Sequence, residues 1–229
     1  MKNNYNNISE YEVEAEQQVY LVKVFGWMGA GLLTTGIVAM WVATNIGFIN
    51  PILFFGAIVL ELILVYRIAR YVMTMSVNVA TLTFIGYSAL NGFTLSGIFM
   101  IYTTESITST FFIASSLFAF MAVYGYSTKR DLTGLGSFLY MGLFGIFIAL
   151  IVNMFLGSSI LSIVISCIGV IVFTGLTAYD VQKIMKMNII GNAGTDEDTK
   201  EAILGALTLY LDFINLFIML LRLFGTKRN

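Results

Sequence analysis

Seven long apolar runs dominate the sequence, and each is close to the length that crosses a lipid bilayer. A helix needs about 20 apolar residues to cross the hydrocarbon core. Continuous runs of this length favour helices over the shorter, alternating strands of a membrane barrel. The sequence therefore predicts an all-α integral membrane protein, a bundle of seven transmembrane helices with approximate limits 21–44, 50–71, 77–102, 108–127, 135–156, 159–182 and 203–224.

The composition excludes several classes of function. The chain is 58% hydrophobic and 11% charged, whereas soluble domains carry about 25% charged residues. It has no histidine and one cysteine, Cys167, which excludes Ser-His and Cys-His catalysis, histidine metal sites and an intramolecular disulfide. The net charge is −1 and no basic patch with interleaved aromatics is present, so we expect no nucleic-acid partner.

The chain divides into two short polar tails and one membrane domain. Residues 1–20 are polar and acidic and lack the order of regions that marks a secretory signal, so we expect a cytosolic N-terminal tail. Residues 21–225 form the seven-helix transmembrane domain, and residues 226–229 form a short basic C-terminal tail.

The basic residues predict the orientation of the chain, because cytosolic loops carry an excess of lysine and arginine. With seven full spans, nine basic residues fall on the N-terminal face and three on the other. The N-terminus is therefore expected in the cytosol. The basic C-terminus would lie outside with seven full spans, or inside if the last segment is re-entrant, and we favour seven spans. The three residues on the outer face are Arg222, Lys227 and Arg228.

Two aspartates lie in the last two apolar runs. Asp212 is near the middle of the last run, and Asp180 closes the sixth. An aspartate at the centre of a membrane helix costs about 2.5–3.5 kcal/mol on insertion scales, so such an acid is a functional hypothesis by default. Two carboxylates close together in a low dielectric titrate as a coupled pair. Such a pair could therefore be a shared proton or cation site. The alternative for Asp180 is an interfacial residue that ends its helix in water.

Other ionisable residues could support this pair. Arg67 and Arg70, near the inner end of the second run, could each cap an aspartate, or could extend to the inner headgroups as topology signals. Glu61, midway through the second run, could form an ion pair with Arg222 or Arg67. Without histidine, Asp180, Asp212 and Glu61 are the acids placed to sense pH inside the membrane.

Two blocks of the sequence resemble a known family. The segment LYLDFINLFIMLLRLFG at 209–225 is similar to the last helix of the Bax inhibitor-1 family, and TGLTAYDVQKI at 174–184 is similar to its preceding helix. The resemblance implies a seven-helix bundle with the last helix central, in the bacterial inner membrane. It also implies a pH-sensitive calcium leak channel without a cofactor, in which calcium permeates or binds weakly.

The resemblance also assigns roles to residues of this sequence. Asp180 and Asp212 would be the pH sensor and the metal ligands, and a second-helix arginine would be the gating partner. Arg70 is the nearer candidate for that arginine and Arg67 the other. Arg222 corresponds to the family arginine of the final helix, and Glu61 to a family glutamate.

Two competing functions were weighed. Intramembrane aspartyl proteases also use two membrane aspartates, one in a Tyr-Asp pair such as Tyr179–Asp180. Their second aspartate lies in Gly-x-Gly-Asp, and they carry a C-terminal Pro-Ala-Leu element. Here Leu211 precedes Asp212 and the one proline is Pro51, so we expect no enzyme. The second alternative is a non-conducting regulatory protein that modulates a membrane protease or a stress response. The sequence leaves the oligomeric state open.

Overall fold

The computed structural model describes residues 10–45 and 50–228 and, over those ranges, consists of seven α-helices. All seven are long and apolar enough to cross a membrane. A 3₁₀ turn at Val72–Thr74 follows α2. The helices are α1 (Glu10–Thr44), α2 (Pro51–Tyr71), α3 (Val77–Ile101), α4 (Thr104–Ser127), α5 (Thr133–Leu156), α6 (Ser159–Met187) and α7 (Asp196–Phe224).

Polar residues at the joints start the helices. The side chain of Asn50 accepts a hydrogen bond from the Ile52 backbone N–H, with Pro51 at the first helical position of α2. A capping side chain satisfies a backbone donor that has no partner within its own helix. Such donors are costly near hydrocarbon. Hydroxyl groups do the same for α3, α4, α6 and α7, at Ser76, Thr103, Ser158 and Thr195.

The seven predicted spans are confirmed, and α1, α6 and α7 extend furthest beyond their apolar runs. Helix α1 begins at Glu10, so the second half of the predicted polar tail continues the first helix. Helices α6 and α7 extend past the sixth and seventh runs toward their shared connection. Residues 1–9 of the predicted tail, residues 46–49 of the first joint and residue 229 lie outside the described ranges, and the domain division stays a prediction.

Helix α7 is the centre of the bundle. It packs against α1, α4 and α6 and also contacts α3. Of its most apolar window, 72% is buried inside the protein, compared with 11% for α2 and 17% for α5. The prediction of a central last helix is therefore confirmed, and α2 and α5 are the helices most open to lipid.

Helix α7 also crosses the membrane completely. Its 29 residues span about 43 Å, more than the hydrocarbon core of about 30 Å. Beyond it, the Thr103 N–H donates to the Thr226 carbonyl at 3.0 Å and the Arg228 N–H donates to the Ile101 carbonyl at 2.8 Å. These bonds join the C-terminal residues to the α3–α4 connection, on the face opposite the start of α1. The re-entrant alternative is thus wrong.

Two glycines allow helix backbones to approach closely. A Cβ atom at Gly125 of α4 would collide with the backbone carbonyl of Ala178 in α6. A Cβ atom at Gly92 of α3 would lie 2.5 Å from the Thr35 carbonyl oxygen of α1. Small residues at such crossings are the usual basis of helix packing in membranes. The pairs α4–α6 and α1–α3 are therefore fixed by backbone contact.

Candidate functional site

Asp180 and Asp212 meet between α6 and α7, in the interior of the bundle. Their side-chain carboxyl groups lie within hydrogen-bonding reach of each other. Both residues are buried, with 1% and 6% of their surfaces exposed. Helix α6 continues for seven residues beyond Asp180 to Met187, so this aspartate does not end its helix in water. We call these two residues the aspartate pair.

The aspartate pair includes an acceptor that lacks a donor. Oδ2 of Asp212 is buried and receives no hydrogen bond from any residue that the structure describes. A hydrogen bond between two carboxyl groups requires a proton on one of them. One proton shared by the two carboxyl groups would therefore provide the missing donor. Loss of that proton would leave two adjacent negative charges with no donor between them.

A lysine and two tyrosines surround Asp180. The hydroxyl of Tyr140, from α5, donates to Asp180 Oδ1 at 3.2 Å. The ammonium nitrogen of Lys183 lies 5.8 Å from the ring centroids of both Tyr140 and Tyr179, and it acts electrostatically on both carboxylates of the pair. The two rings pack edge to face with centroids 5.9 Å apart. Aromatic faces hold a cation by electrostatic attraction, so the rings fix Lys183 beside the aspartates.

A small cavity adjoins Asp180 on the side of the α6–α7 connection. Its volume is about 150 Å³, which is room for several water molecules. The polar residues that line it are Tyr20, Asp180, Lys183, Glu201 and Thr208. The aspartate pair therefore has a polar approach from the face that carries the start of α1 and the basic excess.

The two arginines of α2 lie away from the aspartate pair in this structure. Arg67 and Arg70 are both exposed, and the guanidinium of Arg70 lies 6.0 Å from the ring centroid of its neighbour Tyr71. Among the described residues, the cation that acts on both aspartates is Lys183. The arginines' role as gating partners stays a prediction, but the pairing that we expected from the sequence is not formed here.

The predicted ion pair between Glu61 and Arg222 is also not formed. Glu61 lies ten residues from the outer end of α2 at Pro51, a depth of about 15 Å. Arg222 is exposed in the last turn of α7 at the outer end. The two residues therefore lie at different depths. Glu61 instead accepts a hydrogen bond of 2.7 Å from the Thr94 hydroxyl of α3.

Glu61 belongs to a hydrogen-bonded network that crosses the bundle. Its carboxylate lies within hydrogen-bonding reach of the side chain of Asn91. The hydroxyl of Tyr210 donates to Asn91 Oδ1 at 3.0 Å and lies 2.7 Å from the Thr35 hydroxyl oxygen. This network, Glu61–Asn91–Tyr210–Thr35, joins α2, α3, α7 and α1, and its α7 member is two residues from Asp212.

Sequence reasoning missed part of this chemistry. Lys183 follows Asp180 by three residues, which places both on one face of α6, so helical spacing could have identified it as the nearest cation. Tyr140 and Asn91 had no such signal, because their partners are 40 and 119 residues away in the sequence.

The described residues contain no cluster of three or more acidic, cysteine or histidine side chains that could hold a metal ion. The aspartate pair provides two carboxylates, whereas calcium takes about 6–8 oxygen ligands. Carbonyl groups, hydroxyls and water would have to supply the others. The assignment of Asp180 and Asp212 as calcium ligands stays a prediction.

Comparison with known proteins gives one family and several bacterial relatives. The model of the family described as "Inhibitor of apoptosis-promoting Bax1" matches residues 17–229. The chain is 48% identical over 217 residues to inner membrane protein YbhL of Escherichia coli K12, covering 92% of this chain and 93% of that protein. It is 49% identical over 215 residues to a Borreliella burgdorferi protein, covering 92% and 93%. A Rickettsia prowazekii protein is 46% identical over 218 residues, covering 92% and 90%.

Proposed function

The chain belongs to the Bax inhibitor-1 family, and we propose that it is a pH-sensitive calcium leak channel gated by the aspartate pair. The observation that carries the proposal is that the buried Asp180 and Asp212 carboxyl groups lie within hydrogen-bonding reach of each other inside the bundle. The similarity to YbhL, an inner membrane protein, supports a location in the bacterial inner membrane. The excess of basic residues on the face that bears the start of α1 supports a cytosolic N-terminus.

With one shared proton, the aspartate pair is a link between two helices. The hydrogen bond between the carboxyl groups would tie Asp180 of α6 to Asp212 of α7, where Asp212 Oδ2 otherwise has no partner among the described residues. A bond of this kind stabilises the closed contact between the helices, because breaking it leaves buried polar atoms without partners.

Loss of the shared proton turns the attraction between the two carboxyl groups into repulsion. Two adjacent carboxylates in a low dielectric repel each other, since little water screens their charges. The same two charges attract a hard dication. The ionised pair thus favours separation of the helices or entry of calcium. Weak binding suits permeation, because an ion that is held too tightly does not leave.

Replacement of Asp212 by asparagine tests this mechanism. An amide has nearly the shape of the carboxyl group but does not titrate. A conformational equilibrium linked to one proton changes by up to about tenfold per pH unit, so wild-type calcium flux into proteoliposomes should rise as pH increases through the titration of the pair. In the Asp212→Asn variant Asp180 still titrates but has no charged partner, so we expect flux at the upper pH to fall and its pH dependence to be altered.

A matched control uses Asp131 in the α4–α5 connection. The Lys186 ammonium and the Thr133 side chain and backbone hold the pKa of Asp131 at about 2. Stabilisation from this link is therefore complete above pH 4 and is lost as pH falls toward 2. Asp131→Asn should leave the pH dependence of flux near neutrality unchanged. Equal flux from wild-type protein and empty vesicles, with all variants folded by size-exclusion chromatography, would overturn the proposal.

The alternative is a non-conducting protein that regulates a membrane protease or a stress response. One observation favours it: the ammonium of Lys183, held by two tyrosine rings beside the aspartate pair, repels a permeating cation. A lysine there can neutralise one carboxylate without any ion from solution. Under this alternative, proteoliposomes give no calcium flux above empty vesicles, with or without Asp212.

A further inference from the structure

An apolar groove runs along the outside of the bundle between α1 and α4. Its volume is about 680 Å³, and its floor is Phe213 of α7. We call it the α1–α4 groove. Its walls are almost entirely apolar, and the side chains that define it include Leu21, Phe25, Met28, Phe111, Phe118 and Phe213.

The length of the groove suits a lipid tail. On α1 it extends from Gln18 to Leu32, and on α4 from Phe111 to Tyr126. These 14 and 15 helical steps correspond to about 21 and 22 Å. One leaflet of the hydrocarbon core is about 15 Å thick, half of the whole. The groove is longer than one leaflet is thick. An acyl chain that enters from the headgroup region of one leaflet can therefore lie in the groove over the whole length of the acyl chain.

One end of the groove is polar and leads to a basic hollow. The side-chain amide of Gln18 donates to the Tyr126 hydroxyl at 2.7 Å, which joins α1 to α4 at this end. Beyond that bond is a hollow of about 280 Å³. Gln17, which precedes Gln18 on α1, and Thr128, two residues after Tyr126 of α4, are part of its wall, so the hollow adjoins this end of the groove. Its charged residues are Lys129, Arg130, Asp131 and Lys186.

The hollow carries two positive charges that form no salt bridge within the described part of the chain. Lys186 binds Asp131, with a distance of 2.9 Å from Nζ to Oδ1. Lys129 and Arg130 are exposed and make no salt bridge with any residue in the described ranges. A membrane-facing apolar groove that ends at two unpaired cations is complementary to a molecule with an apolar tail and an anionic head.

We propose that the α1–α4 groove and the basic hollow together bind one anionic phospholipid of the bilayer. One acyl chain occupies the groove, and the phosphate lies against Lys129 and Arg130. A helix of a partner protein would fill the groove without using the hollow, and a zwitterionic lipid would gain less from its charges. The observations therefore favour an anionic lipid over both.

Native mass spectrometry of the full chain, released from vesicles of equal phosphatidylglycerol and phosphatidylcholine, tests the proposal. Wild-type protein should retain one phosphatidylglycerol in preference to phosphatidylcholine. The variant Lys129→Gln/Arg130→Gln should lose this preference, by about fivefold for each charge removed. Ala119→Phe, which places a ring in the groove from an exposed position of α4, should reduce retention of both lipids.

Matched controls separate this site from general effects. Lys227→Gln/Arg228→Gln removes two exposed charges from the opposite end of the protein, and Ala69→Phe adds a ring to an exposed position of α2. Both should retain lipid as the wild type does. Equal retention of the two lipids by wild-type protein, or no effect of the site variants, would overturn the proposal. A lipid-free dimer would overturn it in favour of a second copy of the chain, and a lipid-free monomer would also overturn it.

Discussion

The contacts of Lys183 are only partly predictable from the sequence. The helical spacing of Asp180 and Lys183 is visible in the sequence, and it places an ammonium beside a membrane acid. The two rings that fix this ammonium come from different helices, Tyr179 of α6 and Tyr140 of α5. The contact between Lys183 and the Tyr140 ring could not be predicted, because the sequence around Tyr140 does not indicate that α5 packs against α6. Long-range contacts of this kind depend on how the helices are arranged.

The Tyr210 hydroxyl supports a prediction about stability at the same scale. It contacts both Asn91 and Thr35 in the bundle interior, and Tyr210 is fully buried. Hydrogen bonds between membrane helices contribute about 0.6 kcal/mol on average and at most about 1.7. We therefore expect Tyr210→Phe to lower the free energy of unfolding by about 1 kcal/mol, measured by SDS-induced unfolding in mixed micelles.

The matched control is Tyr66→Phe, which removes a hydroxyl from an exposed position of α2 and should leave the unfolding free energy unchanged. Equal stability of Tyr210→Phe and wild-type protein would mean that the network contributes nothing to folding. The network would then serve to hold the Glu61 side chain in place rather than to stabilise the fold.

At the level of helices, the apolar runs correctly predicted the number of helices and their approximate limits. The starts of α2, α3 and α6 lie within one residue of the predicted limits, directly after the capping residues Asn50, Ser76 and Ser158 that the structure shows. The early start of α1 was not predicted, because its first residues are polar and the apolar pattern gives no signal for them. The sequence also did not predict which helices pack against each other, since the surfaces of all seven helices are similarly apolar.

The backbone contact between α4 and α6 gives a prediction for a helix pair. A methyl group at Gly125 cannot fit against the Ala178 carbonyl, so Gly125→Ala should force the helices apart. Overpacking typically costs about 1–3 kcal/mol, and we expect a loss of unfolding free energy in that range. The matched substitution Gly145→Ala in α5 meets open space and should be neutral or slightly stabilising, because alanine is the better helix former. If both variants unfold alike, the α4–α6 contact is not tightly packed.

For the whole molecule, the seven-span architecture was predictable and the placement of its site was partly so. The central position of α7 came from the resemblance of residues 209–225 to a known last helix, not from the composition of that helix. The pairing of Asp180 with Asp212 was inferred from two costly acids in neighbouring apolar runs, and the resemblance gave the same two residues their roles. The α1–α4 groove could not be foreseen, since it is formed by the gap between two helices that are distant in the sequence.

Orientation is a property of the whole molecule that cysteine labelling can check. The natural chain has one cysteine, which Cys167→Ser removes. In that background, Glu105→Cys lies at the outer end of α4, and Lys129→Cys lies beyond its inner end. With the N-terminus in the cytosol, a membrane-impermeant maleimide should label the first in intact spheroplasts and the second only after permeabilisation. Labelling in the reverse order would mean that the basic excess does not determine the orientation.

The enclosed position of α7 has a consequence for biogenesis. This helix is the seventh to leave the ribosome, yet the other helices surround it. During synthesis, the first six must remain in the bilayer around an interior that is not yet filled. Asp180 is already present at that stage, but Asp212 arrives only with α7. A nascent chain therefore cannot possess the aspartate pair until α7 has been made and has entered the bundle.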